Sequence, residues 1–255
     1  MAAINQQTEP AGGWSGAVLK RIGYLLLTAG VLGRAVFENG LLDIRQYDNA
    51  ALLAAMQGSG QVMQLATLAI VLQGIGLCAV PLFTFALVEG MRHTANVRRY
   101  GLRVALLALA SEIPYNLAFE GRWWAPDTRS PAAGLLLALL MLWLMDHYGK
   151  GENRWKSGLL QAVILAAAVL WALLLRVDHG VVIVALAAVL WLLRGQPLWQ
   201  LLAGCGVSAF LVTAPLGMLL VHFYNGARGR ASRLAGYAFY PAVLLAGGLA
   251  SVYLL

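Results

Sequence analysis

Charge is what this sequence has least of. Asp, Glu, Lys and Arg make up 11% of its 255 residues, against roughly 25% in an ordinary soluble domain. Apolar residues make up 60% and mean hydropathy is +0.73, which excludes a soluble globular fold. Cysteine is nearly absent. Cys78 and Cys205 both sit inside apolar runs, where they read as small hydrophobes and leave no disulfide framework. The four histidines and scattered carboxylates form no HExxH, CxxC or EF-hand spacing, so no metal site is expected. No glycine-rich phosphate loop follows a strand, which argues against nucleotide hydrolysis. Residues Met1 to Gly16 lack the basic start and short apolar core of a cleavable signal. They read as a loose cytoplasmic tail ahead of an uncleaved anchor. With no internal repeat, long linker or low-complexity tract, residues 17–255 read as one domain.

What the chain has instead is a series of long apolar runs. They fall near Val18–Phe37, Gln61–Val88, Val97–Ala118, Ala132–Met145, Gly158–Leu175, Val181–Leu193, Leu198–Phe223 and Gly236–Leu255. In hydrocarbon a lone run satisfies its backbone by forming a helix. The expected fold is therefore all-α, a polytopic transmembrane bundle of about eight or nine segments of ~20 residues each. The net charge of +7 does not indicate a nucleic-acid partner, because the basic residues lie in short loops, as cytoplasmic loops do.

The loop charges set an orientation. Lys20 and Arg21 place the N-terminus in the cytoplasm, and the loops 91–103 and 146–156 follow it there. The segment Glu38–Gly60, the loop 119–130 and the loop 176–180 go outside. A single span between Arg194 and Asn225 would put the basic loop 225–233 outside, against the rule. That stretch carries Gly204, Gly206 and Pro215, so two short helices or a re-entrant hairpin are expected there, with the C-terminus outside.

Few ionisable residues lie within the runs, and each such residue invites a functional reading. Glu89 ends a long run, and Arg92 and His93 follow at the three- and four-residue spacing of one helix face. A carboxylate beside an imidazole can orient a general base, although a helix end at the interface carries such residues anyway. Glu112, beside Pro114 and Asn116, is the least comfortable charge and is expected to pair with Arg92, Arg99 or Arg103. Its burial fits a functional site or a packing ion pair equally. Asp178 and His179 fit an outward polar site, or the ordinary polarity of a short loop, which is the commoner case. Tyr224–Gly229 is a turn with two glycines, and Arg228, Arg230 and Arg233 in and after it suit a polyanion such as a coenzyme A phosphate or a lipid head group. Plain cytoplasmic charge bias explains the same residues.

The block from Gly74 to Phe119, GIGLCAVPLFTFALVEGMRHTANVRRYGLRVALLALASEIPYNLAF, resembles the TraX-type membrane proteins, a family named for a conjugative-plasmid protein that acetylates pilin. The resemblance rests on Pro81, Phe83 and Phe85, then Glu89-Gly90 with His93-Thr94, Tyr100, Arg103 and Ser111-Glu112-Ile113-Pro114. Weaker blocks are Asp178–Gly180, Tyr224–Gly229 and Phe239-Tyr240-Pro241. The resemblance implies an acyltransferase of the bacterial cytoplasmic membrane, using acetyl-CoA or another acyl-CoA and no metal. The implied acceptor is pilin-like or on the cell surface, among membrane lipid and membrane protein partners. It implies Glu89 and His93 as the acid/base pair, with Glu112 organising the basic cluster. It further implies Arg99, Asn225, Arg228 and Arg230 as holders of the acyl-CoA.

The chain departs from that family in a consistent direction. The first helix of the family carries a Lys and, eleven positions on, a His preceded by Asp. Here Lys20 is followed by Gly30 and Val31. The family's Arg before the Pro-x-Phe-x-Phe helix is Leu77, its last-helix His is Val243, and its Asn and Thr near the fourth run are Ser130 and Gly134. Losing one base costs about 10²–10⁴-fold, so the departures imply weakened chemistry. The alternative reading is a non-catalytic membrane subunit that binds a lipid, an acyl-CoA or a partner. A small transporter is a weaker third, since paired broken helices at corresponding positions are not evident.

Overall fold

Short polar side chains start most of the helices. Ser15, Asp48, Ser59, Asn96, Ser130 and Asn153 each accept a backbone N–H in the first turn of the helix that follows, which satisfies donors that hydrocarbon cannot. The structure, a computed structural model, describes residues 13–149, 153–229 and 233–254. Helix α1 is Gly16–Val31 and runs on as a π-helical turn, Leu32–Leu41. A short helix α2, Asn49–Gly58, lies against α3, Gly60–Leu77, which bends at Cys78 into α4, Ala79–Arg92. Then come α5 Val97–Glu120, α6 Pro131–Tyr148, α7 Arg154–Leu174 and α8 Gly180–Leu192. The pair α9 Pro197–Ser208 and α10 Ala214–His222 precedes α11, Arg233–Tyr253. No strand is present among the described residues; two isolated bridges join Trp14 to Tyr224 and Arg129 to Val177.

The chain is thus an all-α polytopic bundle, as expected. Six helical stretches among the described residues are long and apolar enough to cross a membrane: 16–41, 60–92, 97–120, 131–148, 154–174 and 236–253. With the shorter α8 they run alternately up and down. Lys20, Arg21, Arg92, Arg99, Arg154, Arg194 and Arg228 gather at one end, hereafter the basic end. Glu38, Asp43, Asp48, Asp127 and Asp178 lie toward the other, the outer end.

The stretch after Arg194 is the expected hairpin. Helix α9 enters from the basic end and stops at a 3-10 turn, Ala209–Leu211. Helix α10 returns, so that Phe223 meets Trp14. Its tip is fixed where Thr213 donates to Gly74 O and Cys78 Sγ donates to Thr213 O. The 12 residues of α9 rise ~18 Å, short of the ~30 Å hydrocarbon thickness. Val212 turns the tip with φ 48°, an uncommon conformation for a β-branched residue.

Helix α8 lies at the centre, with Val184, Leu186 and Ala187 fully buried against its neighbours. Among apolar helices in lipid, close packing of small residues replaces the hydrophobic drive. Gly30 and Gly76 bring the backbones of α1 and α3 into contact, and a Cβ on either would strike the other's Cα. Gly217 does the same for α10 against the Cys78 carbonyl. Up to residue 12, the expected loose tail lies outside the described residues. From Gly13 the chain is held: Trp14 N donates to Phe223 O at 2.8 Å, and Gly16 N to Ala227 O at 2.8 Å.

Candidate functional site

Two cavities lie end to end inside the bundle. The larger, about 1100 Å³, opens at the basic end and is slightly above the usual range for small-molecule sites, ~300–1,000 Å³. Lys20 and Arg21 of α1, Arg99 and Arg103 of α5, and Arg228 line it, with His93 at its rim. No carboxylate is among its described lining residues. The loop that delivers Arg228 is shaped by Gly226 and Gly229, both with φ near +70° to +80°. Such angles suit residues without a Cβ. Gly90 lets the Tyr100 hydroxyl pass close to α4 and donate to Leu87 O at 3.2 Å.

Glu89 stands behind this cavity and does not line it. Its carboxylate takes Arg92 Nη1 at 3.1 Å and His93 Nδ1 at 3.1 Å. The imidazole is about half exposed, at 58%. Burial raises the Tyr224 phenol above its ordinary value; the Glu89 carboxylate adds to this, while Arg92 and Arg228 oppose it. The expected grouping is therefore met in part. His93, Arg99 and Arg228 share one cavity and Glu89 orients His93. Asn225 is turned away: its amide donates to Gly13 O and its carbonyl accepts from Ala227 N, so it shapes the loop and does not face the cavity. Arg230 lies outside the described residues.

Glu112 corrects a second expectation. It does not organise the basic cluster. Its carboxylate accepts from Arg129 Nη1 and from Ser130 N, each at 3.2 Å. Nine residues of α5 separate it from Arg103, ~13 Å at the helical rise. That is too far for contact, and the loop before α6 dips in to meet it instead.

The second cavity, about 320 Å³, lies toward the outer end. Its polar lining is Arg34, Gln73, Thr84, Asp178, His179 and Tyr240. Asp178 is the hub. Its Oδ2 accepts from the Tyr115 hydroxyl at 2.8 Å and lies 3.5 Å from Arg34 Nη1, while Oδ1 lies 3.2 Å from His179 Nδ1. Arg34 in turn stacks over Phe119 at 4.5 Å. Glu38 is bonded to Gln73 nearby. Phe83, Leu107 and Leu135 line both cavities and stand between them. Gly30, Val31 and Leu77 also line the outer cavity, and the Gly30–Gly76 contact leaves no room for a larger side chain at position 30.

The sequence profile described as TraX protein matches residues 52–250. The chain belongs to the TraX family. The matched stretch includes Glu89 to His93, Ser111 to Pro114, Asp178 to Gly180, Tyr224 to Gly229 and Phe239 to Pro241, so it supplies most of both cavities. Helix α1 with Lys20, and the π-helical turn after it with Arg34, precede it and complete both cavities. No curated protein and no solved structure matches the chain. From the sequence, Asp178 and His179 of this TraX-family protein fit an outward polar site or, as the commoner case, ordinary loop polarity. One signal pointed the other way. The apolar run bounded by His179 and Arg194 is only 13 helical residues long. That is ~20 Å against ~30 Å of hydrocarbon, so one of its ends must sit inside the membrane.

Proposed function

We propose that this TraX-family membrane protein is an acyltransferase that draws its acyl group from acetyl-CoA or a similar acyl-CoA. The observation that carries the reading is the basic cavity, where five Lys and Arg side chains converge with no carboxylate among the described lining residues. Such a set matches a ligand with several negative charges, and Arg forks bind phosphate oxygens well. Arg99, Arg103 and Arg228 hold the phosphates, with Lys20 and Arg21 behind them. By the charge rule for loops, the basic end faces the cytoplasm of a bacterial cell, where acyl-CoA is made.

In coenzyme A the phosphates and the thioester are at opposite ends of a long arm. A residue beside the phosphates is therefore not beside the reacting carbon. His93, half exposed at the rim and held by Glu89, serves the anionic end of the donor. The acceptor is a primary amine or hydroxyl at the outer side, as a pilin-like protein or a cell-surface sugar would present.

The test is binding of radiolabelled acetyl-CoA to the protein in lipid nanodiscs. Saturable binding that falls about tenfold in Arg228→Ala, the equivalent of about 1.4 kcal/mol, supports the reading. Absence of binding, or binding that is the same in Arg99→Ala and Arg228→Ala as in wild type, rejects it.

A further inference from the structure

The outer cavity holds a group that the donor site does not use. His179 has a backbone φ of 56°, a left-handed conformation in which His, Asn and Asp are enriched among residues with side chains. It is the last residue before α8. The ring sits below the outer end of α5, beside the start of α6, and borders the cavity. Its Nδ1 is turned to Asp178 Oδ1 at 3.2 Å. A neutral ring so placed carries its proton on Nδ1 toward the carboxylate, and leaves Nε2 as the free acceptor. Asp178 is itself fixed by the Tyr115 hydroxyl and by Arg34, so the imidazole is oriented by a partner that is oriented in turn. That chain of support is what a general base needs.

We infer that His179, held by Asp178, is the base that deprotonates the acceptor in the outer cavity, with Arg34 as the positive charge facing the developing oxyanion. This inference rests on the acyl-donor reading above.

The step balances as follows. Nε2 takes a proton from the acceptor amine or hydroxyl. The acceptor lone pair forms the new bond to the thioester carbonyl carbon, and negative charge gathers on its oxygen near Arg34. The carbon–sulfur bond breaks, and the leaving thiolate takes the proton back from the imidazolium. The products are an acylated acceptor and free coenzyme A thiol, with no change of oxidation state. For the reacting carbon to arrive there, the donor arm must pass Phe83, Leu107 and Leu135, the three side chains common to both cavities.

The experiment uses the full chain in nanodiscs with acetyl-CoA. Thiol release is followed with water, a peptide bearing a free N-terminal amine, and glucosamine as acceptors. His179→Asn is the chosen variant because Asn tolerates the left-handed backbone; Asp178→Asn is the second. The expected result is thiol release about 10²–10⁴-fold slower in His179→Asn, with acetyl-CoA affinity unchanged in both variants. Equal thiol release by wild type and His179→Asn overturns the assignment. If acetyl-CoA still binds in an Arg228-dependent way, the donor reading survives that failure. If wild type does not bind acetyl-CoA, the donor reading itself falls and takes the base with it. A readout independent of turnover is carbethoxylation of wild type by diethyl pyrocarbonate, mapped by peptide mass spectrometry. His179 is expected to react as readily as the rim residue His93, and an inert His179 overturns the assignment.

Discussion

The two cavities treat charge in opposite ways. At the basic end, cations from α1, α5 and the loop before α11 face a wide space lined by no described carboxylate. In the outer half the acids are engaged: Asp178 with Arg34, Tyr115 and His179, Glu112 with Arg129 and Ser130, Glu38 with Gln73. Uncompensated like charge destabilises the empty protein and is relieved when an anion binds. Compensated charge fixes geometry and keeps the cost of burial down. The first arrangement suits attraction of a ligand and the second suits holding a reacting group still.

Four substitutions can break or sharpen this contrast. The largest effect is expected at the partition. Leu107→Trp fills the passage between the cavities, and acyl transfer is expected to fall at least ~100-fold, as misplacement of a reacting group does. Acetyl-CoA affinity, measured separately, should stay within about threefold if the donor phosphates sit where we place them. Next comes Glu112→Gln, which leaves Arg129 without its carboxylate in a shielded site. It should lower unfolding stability in lipid by about 2 kcal/mol, read by denaturant titration. Arg99→Ala follows, with about tenfold weaker acetyl-CoA binding and little change in stability; scintillation binding at two salt concentrations should show the wild-type advantage shrinking as salt rises. Smallest is Glu89→Gln. The Glu89 and Glu112 carboxylates are equally covered, each 15% exposed, but Arg92 is 44% exposed against 31% for Arg129. The wetter pair should cost less than about 1 kcal/mol in the same titration. Equal losses from Glu89→Gln and Glu112→Gln would erase the distinction between a wet basic end and a shielded outer half.

Most of the fold was legible because the bilayer permits so little else. Long apolar runs have to be helices, and loop charge together with Gly204, Gly206 and Pro215 points to a broken stretch after Arg194. The basic cavity was legible in part for the same reason, since Arg99 and Arg228 lie in loops or helix starts whose side is set by charge. Depth was not legible. Glu112 was matched to the nearest cations by sign, whereas the rise of α5 carries it toward Arg129. The family resemblance implies Asn225 as a ligand, but its amide is used up in tying Gly13 to the loop. Asp178 and His179 looked like loop polarity because their loop is short, and only the length of the helix that follows gives their depth away. Proximity set by side-chain packing across four separate elements, as between Arg34, Tyr115, Asp178 and Tyr240, leaves no periodic trace in the chain.

Phe83, Leu107 and Leu135 have one more consequence. A membrane that stores a voltage must not leak, and each elementary charge crossing it gives up ~2.3 kcal/mol per 100 mV. Two cavities that carry charged side chains, in line across a bilayer, are most of an ion pathway. Three apolar side chains at their junction are the insulation. Whatever passes between them has to be slender and uncharged, so a junction fit for the acyl arm of the proposed donor is also one that keeps protons and salt on their own sides.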